Sequence, residues 1–244
     1  MTELNVCLKL AFMGVALRGD TKGRLLAAAS ELFAAHGFHA TTMRDIAARA
    51  HVNLASGHYH YGSKKDLYLE VLRAQFADIR ALLAHRGVLR GEHELATLTR
   101  PELEALLRRR TTAMLELLIG PPPGLHATLM QREMVDPSEA LPIIVDEFIR
   151  LMMRETEQIV VHLEPRLRRR QVRYCAFSII GQCLFYRFTM PAMLQMMGRQ
   201  RYPRGIASTL AQHVTEFSLG GLGRLAAERS SHRVTSVVRL GARG

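Results

Sequence analysis

Apolar residues recur at three- and four-residue intervals along almost the whole of this 244-residue chain, and no stretch sustains the alternation that a half-buried strand requires. A period near 3.6 gives each segment one stripe to bury, so the pattern is one of helices packed on helices. Breakers cut it into lengths: Gly37, Gly62-Ser63, and the run Gly120-Pro121-Pro122-Pro123-Gly124, where proline has no amide proton for a helix ladder. The expected class is all-α. Helices are expected from Asp20 or Thr21 to Gly37, from Thr41 or Thr42 to Ala50, over roughly 54–60 and 64–85, from Pro101 to Leu117, on to Met134, and over 139–162, 165–187 and 203–225; residues 89–100 read as loop.

About half of the residues are hydrophobic (48%), enough to build a real core. The formal charge of +11, from 33 Lys and Arg against 22 Asp and Glu, suits a polyanionic partner. Arginine far outnumbers lysine, so an arginine-rich composition accounts for the same excess. Cys7, Cys175 and Cys183 are odd in number and lack metal-ligand spacing, which argues against a disulfide framework or structural zinc and for a reducing cytoplasm. The apolar stretch Val6–Leu17 is short and interrupted by Lys9, so it reads as an N-terminal arm (1–19) and not as a signal peptide or a membrane span. At the other end, 229–244 carries Arg229, Arg233, Arg239 and Arg243 with no acid and reads as a mobile basic tail.

The densest chemistry lies between Thr41 and Lys64. Two short segments meet at a turn containing Val52; Ile46, Ala47 and Ala50 supply a small-residue face for close helix approach, and polar and aromatic residues fill the second segment. This is helix-turn-helix grammar, in which one helix braces on phosphates and the next enters the major groove. Thr42 and Arg44 are placed to meet phosphate at the first helix's N-terminus, Asn53 opens the reading helix, and Ser56 and His58 present polar groups to bases. Tyr59 can offer its hydroxyl to phosphate, and Lys64 can anchor the backbone. Tyr61 reads as a core aromatic. His58 and His60 make a poor metal pair, because residues two apart on a helix diverge, and no metal site or cofactor is expected.

The elements Ala29…Leu32-Phe33…Gly37-Phe38…Thr41-Thr42…Ile46-Ala47…Ala50-His51-Val52, with Tyr59-His60-Tyr61…Ser63-Lys64…Leu67, resemble the DNA-binding domain of TetR-family transcriptional regulators over about Thr21 to Leu82. Val52-Asn53-Leu54-Ala55 with Tyr59-His60-Tyr61-Gly62, and Arg132-Glu133-Met134-Val135-Asp136-Pro137-Ser138 with Gly181-Gln182, are similar to the subgroup carrying a CecR-type C-terminal domain. The resemblance implies a three-helix DNA-binding head (20–82) and a larger helical body (83–228) that dimerises and holds an inducer cavity. Gly57 departs from the family pattern, which has a bulky apolar residue there, so a more mobile reading helix is expected.

The body offers two broad apolar faces: Val172, Ala176, Ile179, Ile180, Cys183, Leu184 and Phe188, and then Ile206, Leu210, Val214, Phe217 and Leu222. Two such helices from each subunit would form a four-helix interface in a homodimer, although part of these stripes must be internal core. Polar or adaptable residues within apolar helices are ligand candidates: His126, Arg132, Phe148, Met152, Gln182 and Tyr186, with Arg132 favouring an anionic group. The chain carries no catalytic triad pattern, phosphate-binding glycine loop or metalloprotease motif, so it is not expected to be an enzyme. The expected function is a cytoplasmic, homodimeric repressor released from palindromic double-stranded operator DNA by a small-molecule inducer, with no membrane partner. The alternatives are a ligand-dependent activator and a non-specific basic nucleic-acid binder.

Overall fold

The computed structural model describes residues 20–120 and 125–241, with side chains as far as Glu228. The N-terminal arm, the proline run and the side chains of the basic tail lie outside this set. The described residues form helices and no strand: α1 Thr21–Ala40, α2 Met43–Arg49, α3 Leu54–Tyr61, α4 Lys64–His85, α5 Glu92–Leu95, α6 Arg100–Ile119, α7 Leu125–Val135, α8 Leu141–Ile144, a π-helical turn Val145–Ile149, α9 Arg150–Leu163, α10 Arg169–Phe188, α11 Met190–Met196 and α12 Ile206–Gly241.

Capping explains why the first helices begin where they do. The Asp20 carboxylate accepts from the Gly23 amide at 2.6 Å, and Thr42 with Asp45 and Ser63 with Asp66 form reciprocal capping boxes. Gly37, expected to end α1, adopts φ +83 and kinks it, with helical turns resuming to Ala40. The 139–162 segment is not one uniform helix: it breaks into α8, the π turn and α9. Residues 89–100 hold the short α5, and α10 starts at Arg169 rather than at Pro165. The last helix runs on to Gly241, so most of the tail backbone is helical.

Two compact units result. One takes in the described residues to Arg86 together with Leu117–Arg150; the other takes in Gly87–Glu116 and Leu151 onward. Within the first unit α7, which the sequence places in the body, packs on α1 and α4. The first unit's core holds Leu25, Phe33, Ile46, Leu67, Tyr68, Val71 and Leu72, all nearly solvent-free. In the second unit, Leu103, Leu106 and Leu107 of α6 pack with Ile159, Val160 and Leu163 of α9, Val172 and Ile179 of α10, and Leu222 of α12. No described helix is long and apolar enough to cross a membrane, and no described group of three His, Cys, Asp or Glu is placed to hold a metal ion.

Candidate nucleic-acid interface

The reading helix α3 is eight residues long and buries only two of them, Gly57 and Tyr61, one helical turn apart. Tyr61 is the expected core aromatic: its hydroxyl donates to the Lys22 carbonyl at 2.9 Å, and burial pushes its ionisation up to about 12. Gly57 sits against α2. A β-carbon there would lie 3.1 Å from Cε of Met43 and 3.9 Å from Cδ2 of Leu25. The space expected to be lost to packing is therefore occupied from the other side, by an unbranched thioether that reaches where a branched residue on α3 would have stood.

Of the rest of α3, Ser56 and His60 are half-buried and the other side chains face outward. Asn53, Leu54, Ala55, His58 and Tyr59 are exposed, Tyr59 at 86%, with its ring edge-on to His60. The caps specify what each polar group still offers. Asn53 Oδ1 accepts from both the amide (2.7 Å) and the hydroxyl (2.8 Å) of Ser56, so the Asn53 amide donors and a Ser56 oxygen lone pair remain. Thr42 donates its hydroxyl to Asp45 at 2.6 Å and accepts from the Asp45 amide. The bonds that the Thr42 hydroxyl and the Thr42 amide donate to it hold the Asp45 carboxyl below its ordinary value. The Thr42 side chain is thus spent on the cap, whereas Arg44 is exposed and in no ion pair among the described residues.

Lys64 is less free than expected. Its ammonium donates to the Phe38 carbonyl at 2.9 Å and sits 4.2 Å from the Phe38 ring centre, which ties the start of α4 to the end of α1. The turn between α2 and α3 also holds a detail that residue type did not announce: His51 stands at φ +54, a left-handed position unusual for a β-carbon-bearing residue.

The motif Arg132–Ser138 packs on this same unit. Arg132 Nε donates to the Ala34 carbonyl at 2.8 Å and its Nη2 to that of Ala35, just before the Gly37 kink. Buried Glu133 accepts from the Tyr68 hydroxyl at 3.0 Å and from both the amide and the hydroxyl of Ser138 at 2.9 Å. Burial, then the Glu133 carboxylate, push the Tyr68 phenol well above its ordinary value. Beside these contacts lies a groove of about 340 Å³ lined by Phe33, His36, Phe38, Tyr68, Gln131 and Arg132, among others. Further along α4, Arg73 makes a two-point contact with Glu147 of the π turn (3.0 and 2.8 Å), and Phe76 stacks on Phe148 with ring centres 4.0 Å apart.

The six ligand candidates divide between the units. His126 is buried on α7, Arg132 engages α1, and Phe148 stacks on Phe76 in the first unit. In the second unit, the Met152 carbonyl accepts from Arg110, Gln182 reaches Ser178 and Ser218, and the Tyr186 carbonyl accepts from Tyr202. Of the six, only Arg132 lines the groove. Sequence reasoning missed Arg110, which is buried in the second unit and paired with Glu155 at 2.7 Å. Its helical phase with Leu103, Leu106 and Leu107 was the available signal.

The apolar residues of α10 divide into two stripes. Val172, Ala176, Ile179 and Cys183 are buried within the unit, whereas Tyr174, Phe177, Phe185 and Phe188 form a separate stripe on α10, between 37% and 52% exposed, with Phe217 of α12 at 67%.

Comparison with known proteins agrees with this geometry. Residues 25–71 match the family described as bacterial regulatory proteins, tetR family, and residues 103–222 match the C-terminal domain of the HTH-type transcriptional dual regulator CecR. The chain is 46% identical over 56 residues to the HTH-type transcriptional activator FasR of Mycolicibacterium smegmatis, which is 23% of this chain and 26% of that protein. It is 48% identical over 54 residues to the dual regulator CecR of Shigella flexneri, 22% of this chain and 24% of the other. These matches span about a quarter of each relative's length. A solved TetR-family regulator from Streptomyces coelicolor has the same fold, with a TM-score of 0.59 at 17% identity over 83% of this chain and 95% of that one. A capped α2, a mostly outward-facing α3 and both family matches agree: the chain belongs to the TetR family of helix-turn-helix transcriptional regulators.

Proposed function

We propose that this protein is a homodimeric, sequence-specific DNA-binding repressor that leaves a palindromic operator when a small molecule binds. The observation that carries the reading is the division of α3: Gly57 and Tyr61 are its buried residues, and Leu54, Ala55, His58 and Tyr59 form a face left exposed. A helix of eight residues that leaves a tyrosine 86% exposed is built to be covered by something else. Selection from random duplexes should enrich a palindrome whose half-sites lie about one helical turn apart. Arg44→Ala should weaken binding to the selected and to a scrambled duplex alike, and reduce the salt slope by about 1. A wild-type protein that enriches no sequence would overturn the reading.

The exposed aromatic stripe on α10 supports the homodimer, because contiguous apolar surface of this kind marks an interaction face. Phe177→Arg with Phe185→Arg should convert a dimer to a monomer by light scattering while helical circular dichroism is retained. A dimeric double variant would remove the stripe from the interface. Release by ligand draws on the family and on Arg132–Ser138, which ties α7 to α4 by the buried Tyr68–Glu133 bond and to α1 by the Arg132 bonds, and gives a route from that segment to the motif. Activation is the second reading, favoured by the descriptions "activator" and "dual regulator" that the two relatives carry. A cytoplasmic site of action follows from DNA as the partner.

A further inference from the structure

On the outward side of α3, Nδ1 of His58 lies 2.8 Å from the carbonyl oxygen of Gly62. A carbonyl only accepts, so Nδ1 carries the proton of the neutral ring, and Nε2 is left with a lone pair and no hydrogen. The contact is built into the helix end. Gly62 takes φ +69 and ψ −86, returns its amide to the His58 carbonyl at 2.8 Å, and turns its own carbonyl to the imidazole. The ring has no other hydrogen-bond partner among the described residues, and His58 is exposed beside Tyr59. The outward face of the reading helix therefore offers a fixed acceptor at this point.

An acceptor is selective in a nucleic-acid groove. It gains nothing from a phosphate, whose oxygens also accept. In the major groove the only donors on base edges are the N4 amino group of cytosine and the N6 amino group of adenine. We propose that His58 is a specificity-determining residue whose Nε2 accepts a hydrogen bond from the exocyclic amino group of a cytosine or adenine in each half-site. The proposal rests on the DNA-reading function above and names which chemical feature of the operator this side chain recognises. A single acceptor separates amino-bearing from keto-bearing bases and leaves cytosine and adenine unresolved. Gly62 acts as the positioning residue, since its backbone conformation aims the carbonyl that sets the tautomer.

The test is selection from random duplexes at pH 8, where an ordinary imidazole is neutral, with wild type, His58→Ala and His58→Gln, each checked for folding by circular dichroism. The wild-type profile should show one position per half-site restricted to adenine or cytosine. His58→Ala should accept all four bases there, and His58→Gln, whose amide both accepts and donates, should keep adenine and cytosine among the accepted bases while admitting guanine and thymine as well. Replacing that adenine by purine, or that cytosine by 2-pyrimidinone, removes only the amino group. It should weaken wild-type binding about five-fold, one net hydrogen bond, and leave His58→Ala unchanged. An unchanged profile in His58→Ala, a dependent position that prefers guanine or thymine, or amino-group removal without effect would each overturn the proposal while leaving the DNA-reading function intact. A wild type that enriches nothing would overturn both.

Discussion

Glu155→Ala is expected to lower the stability of the protein by about 3 kcal/mol, seen as a fall of roughly 6–12 °C in the first thermal transition. Arg110 is the reason. Its side chain is 8% exposed, and Glu155, at 24%, holds it at 2.7 Å. Its other contacts are the Met152 carbonyl at 3.2 Å and a longer one to the Thr156 hydroxyl at 3.4 Å. Removing the carboxylate leaves a buried guanidinium with only the Met152 carbonyl and the Thr156 hydroxyl as partners, and a buried charge that loses its partner costs more than the pair ever contributed. The partial exposure of Glu155 holds the figure to the lower end of the range for buried pairs. Replacing both partners by apolar residues of similar volume, as in Arg110→Met with Glu155→Leu, should return the melt to within about 1 kcal/mol of wild type. A Glu155→Ala melt within about 2 °C of wild type would show that water reaches this pair.

Glu133→Ala is the second large effect, expected at about 2–3 kcal/mol, with a consequence for DNA binding that the first variant lacks. The Glu133 carboxyl, 1% exposed, is the common acceptor for the Tyr68 hydroxyl and for the amide and hydroxyl of Ser138. Truncation strands a buried phenol and a buried amide at once. Because Tyr68 belongs to α4 and touches the rings of Phe33 and Phe38 of α1, the loosened contact lies beneath the reading motif. Duplex affinity should fall together with the melting temperature. Tyr68→Phe removes one of the three donors and should cost about 1 kcal/mol. The double variant should then cost less than the sum, because both changes delete the same bond. Strict additivity in urea or thermal melts would show that the bond contributes nothing.

The motif was largely legible in residue order because its determinants are local. Thr42 with Asp45 and Ser63 with Asp66 stand three residues apart, and a capping box is read directly from that spacing. The start of α4 at Lys64 and its end at His85 followed from Ser63 and from the stripe Leu67, Val71, Leu72, Phe76. Gly57 was visible as an irregularity, but not its compensation: Met43 lies fourteen positions earlier, and only folding brings its thioether into the glycine's space. Lys64 shows the same limit, since residue type names an ammonium with three donors and only the fold shows that one of them is held by the Phe38 carbonyl.

The body was harder for a related reason. A helical period locates a buried stripe without saying what buries it. On α10 two stripes coexist, one through Val172, Ala176, Ile179 and Cys183 packed within the unit, and one through Tyr174, Phe177, Phe185 and Phe188 left uncovered. The aromatic stripe is the better interface candidate, and only burial distinguishes them. The chain position of Arg132 and Glu133 says nothing of their partners, which lie about 98 and 65 positions away, in α1 and α4.

What residue order determined here is what acts over a few residues: the helices, their caps and breaks, and the identity of the chemical groups on the reading segment. What the tertiary structure decided is which of those groups are already engaged. Thr42 and Lys64 are drawn into caps and carbonyl contacts, Arg132 is committed to α1, and His58 keeps one bare acceptor. A hydrogen-bonding group recognises a partner only with the donors and lone pairs that folding leaves unused, and that remainder depends on neighbours distant in sequence.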